Sequence, residues 1–199
     1  MASSRAHTEQ GIERKEQLLA AAQDLFAAKG FANTRIADIC AAAGVAKGLF
    51  YWYFPTKESV IVELVRDTRQ QLRRAQGAAM DANADALTRI RQGAEASVRF
   101  IAERRAHFAL LDLERHDHTV APLVREGSDV YVRDVTALIR EAQQHGLVDE
   151  GDPKVYAVGV VGAVSSFSHA LRTGRLEGPV EDLAAFVGDW LRKALTSAG

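Results

Sequence analysis

Apolar residues recur at helical spacing along most of the chain, and no stretch alternates with period two for long enough to suggest a sheet. Leu18, Leu19, Ala22, Leu25 and Phe26 make one apolar stripe, on a helix expected from about Ile12 to Lys29 and closed by Gly30. Ile36, Ile39, Cys40 and Ala43 follow at i, i+3, i+4 and i+7, in a helix that Thr34 can cap and Gly44 ends. A short third helix is expected from about Ala46 to Phe54, stopped by Pro55. Thr56 can cap a fourth, with Glu58 where the helix dipole favours an anion and Val60, Ile61, Leu64, Val65 and Leu72 on its buried face.

The helical pattern continues to the end. Residues 84–104 and 107–115 read as two helices, 116–122 as a polar loop, and 123–145 as a helix stopped by Gly146. Residues 153–173 form a helix apolar on nearly every face. Val180, Leu183, Ala184, Val187, Trp190, Leu191, Ala194 and Leu195 then make an uninterrupted helical seam. The expectation is an all-α fold of about nine helices, three of them short. Residues 1–11 are expected to be a disordered leader, 12–56 a head of short helices, and 57–197 a larger helical-bundle domain.

Composition fits a globular helical protein. Hydrophobic residues are 47% of the 199 and charged residues 26%, which excludes a disordered chain, and four prolines leave long helices uninterrupted. The chain is long enough to bury a core without disulfides or metals. The single cysteine, Cys40, rules out an internal disulfide and fits a reducing cytoplasm, the expected location. The N-terminus is polar, so no secretory leader is expected. The longest apolar run, 155–164, is too short to span a bilayer. Net charge is −1, distributed as +3 over residues 1–75 and −4 over residues 76–199. That asymmetry suits a DNA-reading front on a body that avoids DNA.

Two short helices joined by a tight glycine turn are the skeleton of a helix-turn-helix. Here 35–43 is the first, Gly44-Val45 the turn and 47–54 the second, which would lie in the major groove. Lys47, Gly48, Tyr51, Trp52 and Tyr53 crowd donors and aromatics onto it. Gly48 costs helix stability, so close approach of backbone to DNA is a reason for it. Lys57 puts a cation and helix amides where a phosphate could sit.

The stretch from Leu18 through Lys29-Gly30-Phe31, Thr34, Ala43-Gly44-Val45, Lys47-Gly48, Phe50-Tyr51 and Tyr53-Phe54-Pro55 to Lys57-Glu58 resembles the DNA-binding signature of the TetR family. The match covers residues 14–65 without gaps. The resemblance implies a homodimeric operator-binding protein, usually a repressor, whose variable C-terminal domain binds a small-molecule inducer. On it, Thr34, Arg35, Lys47, Gly48, Leu49, Tyr51, Trp52, Tyr53 and Lys57 are the candidate DNA-binding residues. Three positions depart from the family's pattern. Ala46 leaves the third helix without a side-chain cap, Ala37 stands where a polar residue is frequent, and Leu49 replaces a phosphate-bonding Thr. Leu49 could touch a thymine methyl instead.

Other residues divide between two readings. Tyr51 and Tyr53 are two apart and cannot share a helix face, so at least one points away from the core. Phe50 and Phe54 read as core, and Trp52 is either a DNA contact or packing. Cys40 reads as a small buried hydrophobe rather than a redox sensor. His116 and His118 near acidic residues read as a polar loop, and no metal or cofactor is expected. Phe100, Arg104, His107, Phe108, Tyr131 and His169 are candidates for a pocket taking an apolar or aromatic ligand with one or two polar groups; the other reading makes His107 and His169 hydrogen-bonded core histidines and Arg104 a solvated helix end. Small residues such as Gly159, Gly162 and Ser166 allow close helix approach, and Leu183, Val187, Trp190 and Leu191 lie on the final seam. Either both helices are internal core, or they pack on their two-fold copies as a four-helix interface, the arrangement the resemblance favours.

An enzyme is the rival from another class, opposed by the lack of a nucleophile–base pair, phosphate loop or metal-ligand spacing in the sequence. A DNA-binding protein without ligand control is a second rival. A body of this size is larger than that task needs.

Overall fold

The structure, a computed structural model, describes residues 2–105, 108 and 120–196. Every regular element among these residues is an α-helix: α1 (Ala2–Lys29), α2 (Ile36–Ala42), α3 (Lys47–Tyr53), α4 (Lys57–Ala79), α5 (Ala86–Glu103), α6 (Val120–Gln144), α7 (Pro153–Arg172) and α8 (Val180–Leu195). Apart from Phe108, the short helix expected over residues 107–115 lies outside the described residues, as does most of the loop expected before residue 123. Two boundaries differ from the sequence reading. α1 begins at Ala2 rather than Ile12, because the polar stretch ahead of the apolar stripe contains no helix breaker until Gly11, which a helix tolerates. α6 begins at Val120 and takes Pro122 into its first turn, where a missing N–H costs nothing.

The first of two compact units contains α1–α3 and α4 as far as Thr68. Its core is Leu18, Ala22 and Phe26 of α1, Ile39 and Cys40 of α2, Phe50 and Phe54, and Val60, Ile61, Leu64 and Val65 of α4. The turn between α2 and α3 needs Gly44 at φ +64°, a left-handed conformation that costs other residues free energy. Caps set the helix starts. Asp38 accepts from the Arg35 N–H at 3.2 Å. Thr56 and Ser59 exchange bonds at the start of α4: Thr56 Oγ1 accepts from the Ser59 N–H at 3.2 Å and Ser59 Oγ from the Thr56 N–H at 3.3 Å. A Lys15–Glu63 ion pair ties α1 to α4.

The second unit holds the end of α4 from Arg69, α5, α6 from Arg125, α7 and α8. α5 is its central helix, with Leu87, Ile90, Ala94 and Val98 packed against Val160 and Val164 of α7 and Val187 and Leu191 of α8. Asp85 caps α5, accepting from the Thr88 N–H at 2.9 Å and its hydroxyl at 2.7 Å. The crossing of α5 and α8 is close: a Cβ on Gly188 would lie 2.7 Å from Glu95 Oε1 and 2.8 Å from its Cγ. Over that crossing Arg91, Glu95, Arg99 and Glu181 form a ladder of ion pairs. No helix among the described residues is long and apolar enough to cross a membrane.

Candidate nucleic-acid interface

α2, the Gly44 turn and α3 build a helix-turn-helix whose inner side is sealed by Ile39, Cys40, Phe50 and Phe54. Phe50 and Phe54 are core, as their four-residue spacing predicts. Burial pushes the Cys40 thiol up, with the nearby Lys47 charge partly opposing it, so the thiolate is scarce at neutral pH. On the outer side Arg35, Lys47 and Gly48 are exposed and Leu49 is half-buried. Trp52 is 75% exposed and Tyr51 48%, unusual for large aromatics on a helix whose other side is sealed. The Lys47 ammonium lies 6.0 Å from the Tyr51 ring centroid, at the limit of a cation–π contact. A Cβ on Gly48 would meet no heavy atom within 4 Å, so nothing within the protein demands a glycine there.

Three of the candidate DNA-binding side chains turn inward. Thr34 is 1% exposed, and its hydroxyl donates to the Gly30 carbonyl at 2.9 Å, closing the α1–α2 turn. It therefore neither caps α2 nor reaches the surface; Arg35 occupies the cap position. Tyr53 packs on the core, and its hydroxyl donates to the Gly11 carbonyl at 2.8 Å. Lys57 reaches back along the loop after α1, donating to the carbonyls of Phe31 at 2.6 Å and Thr34 at 2.9 Å. Its donors are engaged by the protein rather than held out toward a phosphate.

The candidate ligand residues fall in several places. Phe100 is buried, with the Arg104 guanidinium 4.0 Å from its ring centroid. The Tyr131 hydroxyl lies 3.2 Å from Ser97 Oγ, which also accepts from Gln76 Nε2 at 2.9 Å and donates to the Gly93 carbonyl at 2.6 Å. Burial pushes the Tyr131 phenol up, with the bonds to Ser97 and Gln76 partly opposing it. Gln76 and Ser97, not among the sequence candidates, join Tyr131 in this buried polar group. His169 Nδ1 is 3.5 Å from Arg172 Nη2. His107 lies outside the described residues, and Phe108 is half-buried in the first unit. A separate cleft of about 210 Å³ is lined by Leu171, Leu176, Gly178, Pro179 and Leu183, with Glu177 and Asp182 at it.

The two last helices divide the candidate interface residues. Val187 and Leu191 are buried in the chain's own core and Leu183 packs against it, so they do not form an outward surface. Gly159, Gly162, Ser166 and Trp190 are exposed, together with Val155, Val158 and Phe186. Phe167 meets the rings of Phe186 at 5.9 Å and Trp190 at 5.8 Å, edge to face, and holds this outward aromatic cluster. Phe186, four residues before Trp190, was the position the seam did not reveal.

A helix-turn-helix with an outward aromatic and cationic face, joined to an α-helical body, is the architecture of DNA-binding regulators. The model of bacterial regulatory proteins of the tetR family matches residues 18–64, and that of the tetracyclin repressor-like C-terminal domain matches residues 83–169. The chain belongs to the TetR family of transcriptional regulators. It is 40% identical over 55 residues to the HTH-type transcriptional regulator EthR of Mycolicibacterium smegmatis, a match covering 28% of this chain and 25% of that protein. The chain spans a third or less of the length of the first curated relatives it matches. The fatty acid degradation regulator FadR of Bacillus halodurans shares the fold at a TM-score of 0.80 and 19% identity, over 92% of this chain and 96% of that one. The SmeT–triclosan complex does so at 0.79 and 20% identity, over 94% and 93%.

Proposed function

We propose that the chain is a homodimeric repressor that binds a palindromic operator and is released by a small molecule held in its C-terminal domain. In this reading residues 12–56 are the DNA head and 57–197 the body for ligand binding and dimerisation. The observation that carries it is the exposure of Trp52 and Tyr51 beside Lys47 on a helix whose opposite side is sealed. Lys47 and Arg35 supply cations for phosphates or guanine edges, and Leu49 an aliphatic contact for a thymine methyl. Gly48 lets the backbone approach.

The exposed cluster of Val155, Val158, Gly159, Gly162, Ser166, Phe186 and Trp190 supports a second copy of this chain as the partner. Its glycines open on free space, and its large apolar rings lose water only when a matching surface covers them. An apolar or aromatic inducer bearing one or two polar groups suits a body whose apolar core carries isolated polar side chains such as Tyr131, and SmeT, which shares the fold, binds triclosan. To move the dimer almost wholly to the released state, the inducer must favour it by about 5.5 kcal/mol.

Selection of bound duplexes from a random pool tests the reading. An inverted repeat with half-sites about 34–36 Å apart, or a multiple of that, is the expected product. A single asymmetric site contradicts the dimer, and no enrichment contradicts DNA binding.

A further inference from the structure

We propose that Tyr53 is a positioning residue: it holds Trp52 in its DNA-reading orientation and pins the recognition helix to α1 at Gly11. The inference rests on the DNA-binding reading of α3. Tyr53 stands beside Trp52, the most exposed large hydrophobic side chain among the described residues, and has its own polar end fixed elsewhere. Its hydroxyl donates to the Gly11 carbonyl at 2.8 Å, across 42 residues of sequence. Its ring lies 4.5 Å from that of Trp52 with the planes at 87°, an edge-to-face contact. Trp52 has 75% of its surface in solvent. An exposed indole with no neighbour samples several rotamers, and each must be given up when a partner binds. The Tyr53 ring supplies one fixed wall, and the Gly11 bond fixes the wall.

The far end of the bond is itself anchored. Four residues after Gly11, Lys15 is paired with Glu63 of α4, so this part of α1 is tied to α3 on one side and α4 on the other. The stretch of α1 from Gly11 to Lys15 therefore works as a strut for the recognition helix, although the apolar stripe of α1 starts only later, at Leu18. The sequence motif alone makes Tyr53 one more aromatic of the reading face. The structure gives it a different task, acting through Trp52.

The test compares wild type, Tyr53→Phe and Gly11→Ala at a temperature where circular dichroism shows all three folded. Binding is measured to the duplex recovered by selection. The protein carries 5-fluorotryptophan, whose two 19F resonances are assigned with Trp52→Phe. Tyr53→Phe is expected to lose about five- to tenfold in affinity, the size of one hydrogen bond, and to move the Trp52 resonance of the DNA-free protein while leaving that of Trp190 in place. Gly11→Ala keeps the carbonyl, and its added Cβ would sit at an ordinary 3.5 Å from the phenol oxygen, so it should match wild type in both readouts. An unmoved Trp52 resonance in Tyr53→Phe overturns the proposal whatever the affinity does: unchanged affinity would make the bond merely structural, and lost affinity would make the hydroxyl a DNA contact. A wild-type protein that recovers no duplex overturns the DNA-binding reading, and this inference with it.

Discussion

The Lys57 ammonium donates to the Phe31 carbonyl at 2.6 Å and sits 4.2 Å from the centroid of the Phe31 ring. One side chain thereby joins the start of α4 to the loop after α1, and the Thr34 carbonyl takes a further donor at 2.9 Å. Charged donors to half-buried carbonyls contribute about 1.5–3 kcal/mol. Lys57→Ala is therefore expected to lower the stability of the head by about that amount in urea unfolding. It should leave the salt dependence of operator binding unchanged. Lys47→Ala should lower that slope by roughly one ion, as a lost phosphate contact does. A reduced slope in Lys57→Ala would show that its ammonium leaves the carbonyls for DNA.

Gly48 separates folding from function. With open space around its would-be Cβ, Gly48→Ala should stabilise α3 by about 1 kcal/mol, the ordinary propensity difference. The same methyl is expected to weaken operator binding, because the backbone can no longer approach the DNA. Thermal unfolding and a duplex titration on one preparation check both signs. Tighter or equal binding would leave no reason for the glycine.

Much of this is legible in the sequence. The spacing of Phe50 and Phe54 identified core, and α8 starts and ends where its seam of apolar residues does. The misplacements have physical causes. Thr34 looked like a cap because threonine accepts from helix amides, but the hydroxyl also donates, and here the Gly30 carbonyl takes it. Val187 and Leu191 share a seam with the outward Trp190, and periodicity cannot say whether a stripe faces its own core or another chain. Tyr53 and Lys57 match the family's motif, and only geometry shows which way they turn.

That division of the α8 seam gives its own prediction. Trp190→Asp places a charge on the outward cluster and should yield folded monomers in sedimentation, with DNA binding strongly reduced. Val187→Asp puts the charge in a fully buried position and should unfold the domain instead. If Trp190→Asp stays dimeric, the two-fold surface lies elsewhere.

Asp85 gives a pH signature. Bonds from the Thr88 N–H and hydroxyl hold its carboxyl below the ordinary range. Since the folded pKa is the lower one, the stabilisation is complete above the unfolded value, near about pH 4, and is lost as pH falls through the folded value. Asp85→Asn keeps a cap acceptor without a titrating group and should flatten the acid limb of the stability curve. Asp85→Ala should cost about 1 kcal/mol at neutral pH in urea unfolding.

The central claim is that the exposed face of α3 reads DNA. Its most direct measurement is the affinity of Tyr51→Ala/Trp52→Ala for the selected duplex, with circular dichroism confirming an intact fold. Both side chains are largely outside the core, so the fold should survive. Two lost contacts of about 1–3 kcal/mol each predict a fall of roughly thirtyfold or more. Binding within about twofold of wild type, less than 0.5 kcal/mol, would contradict the account.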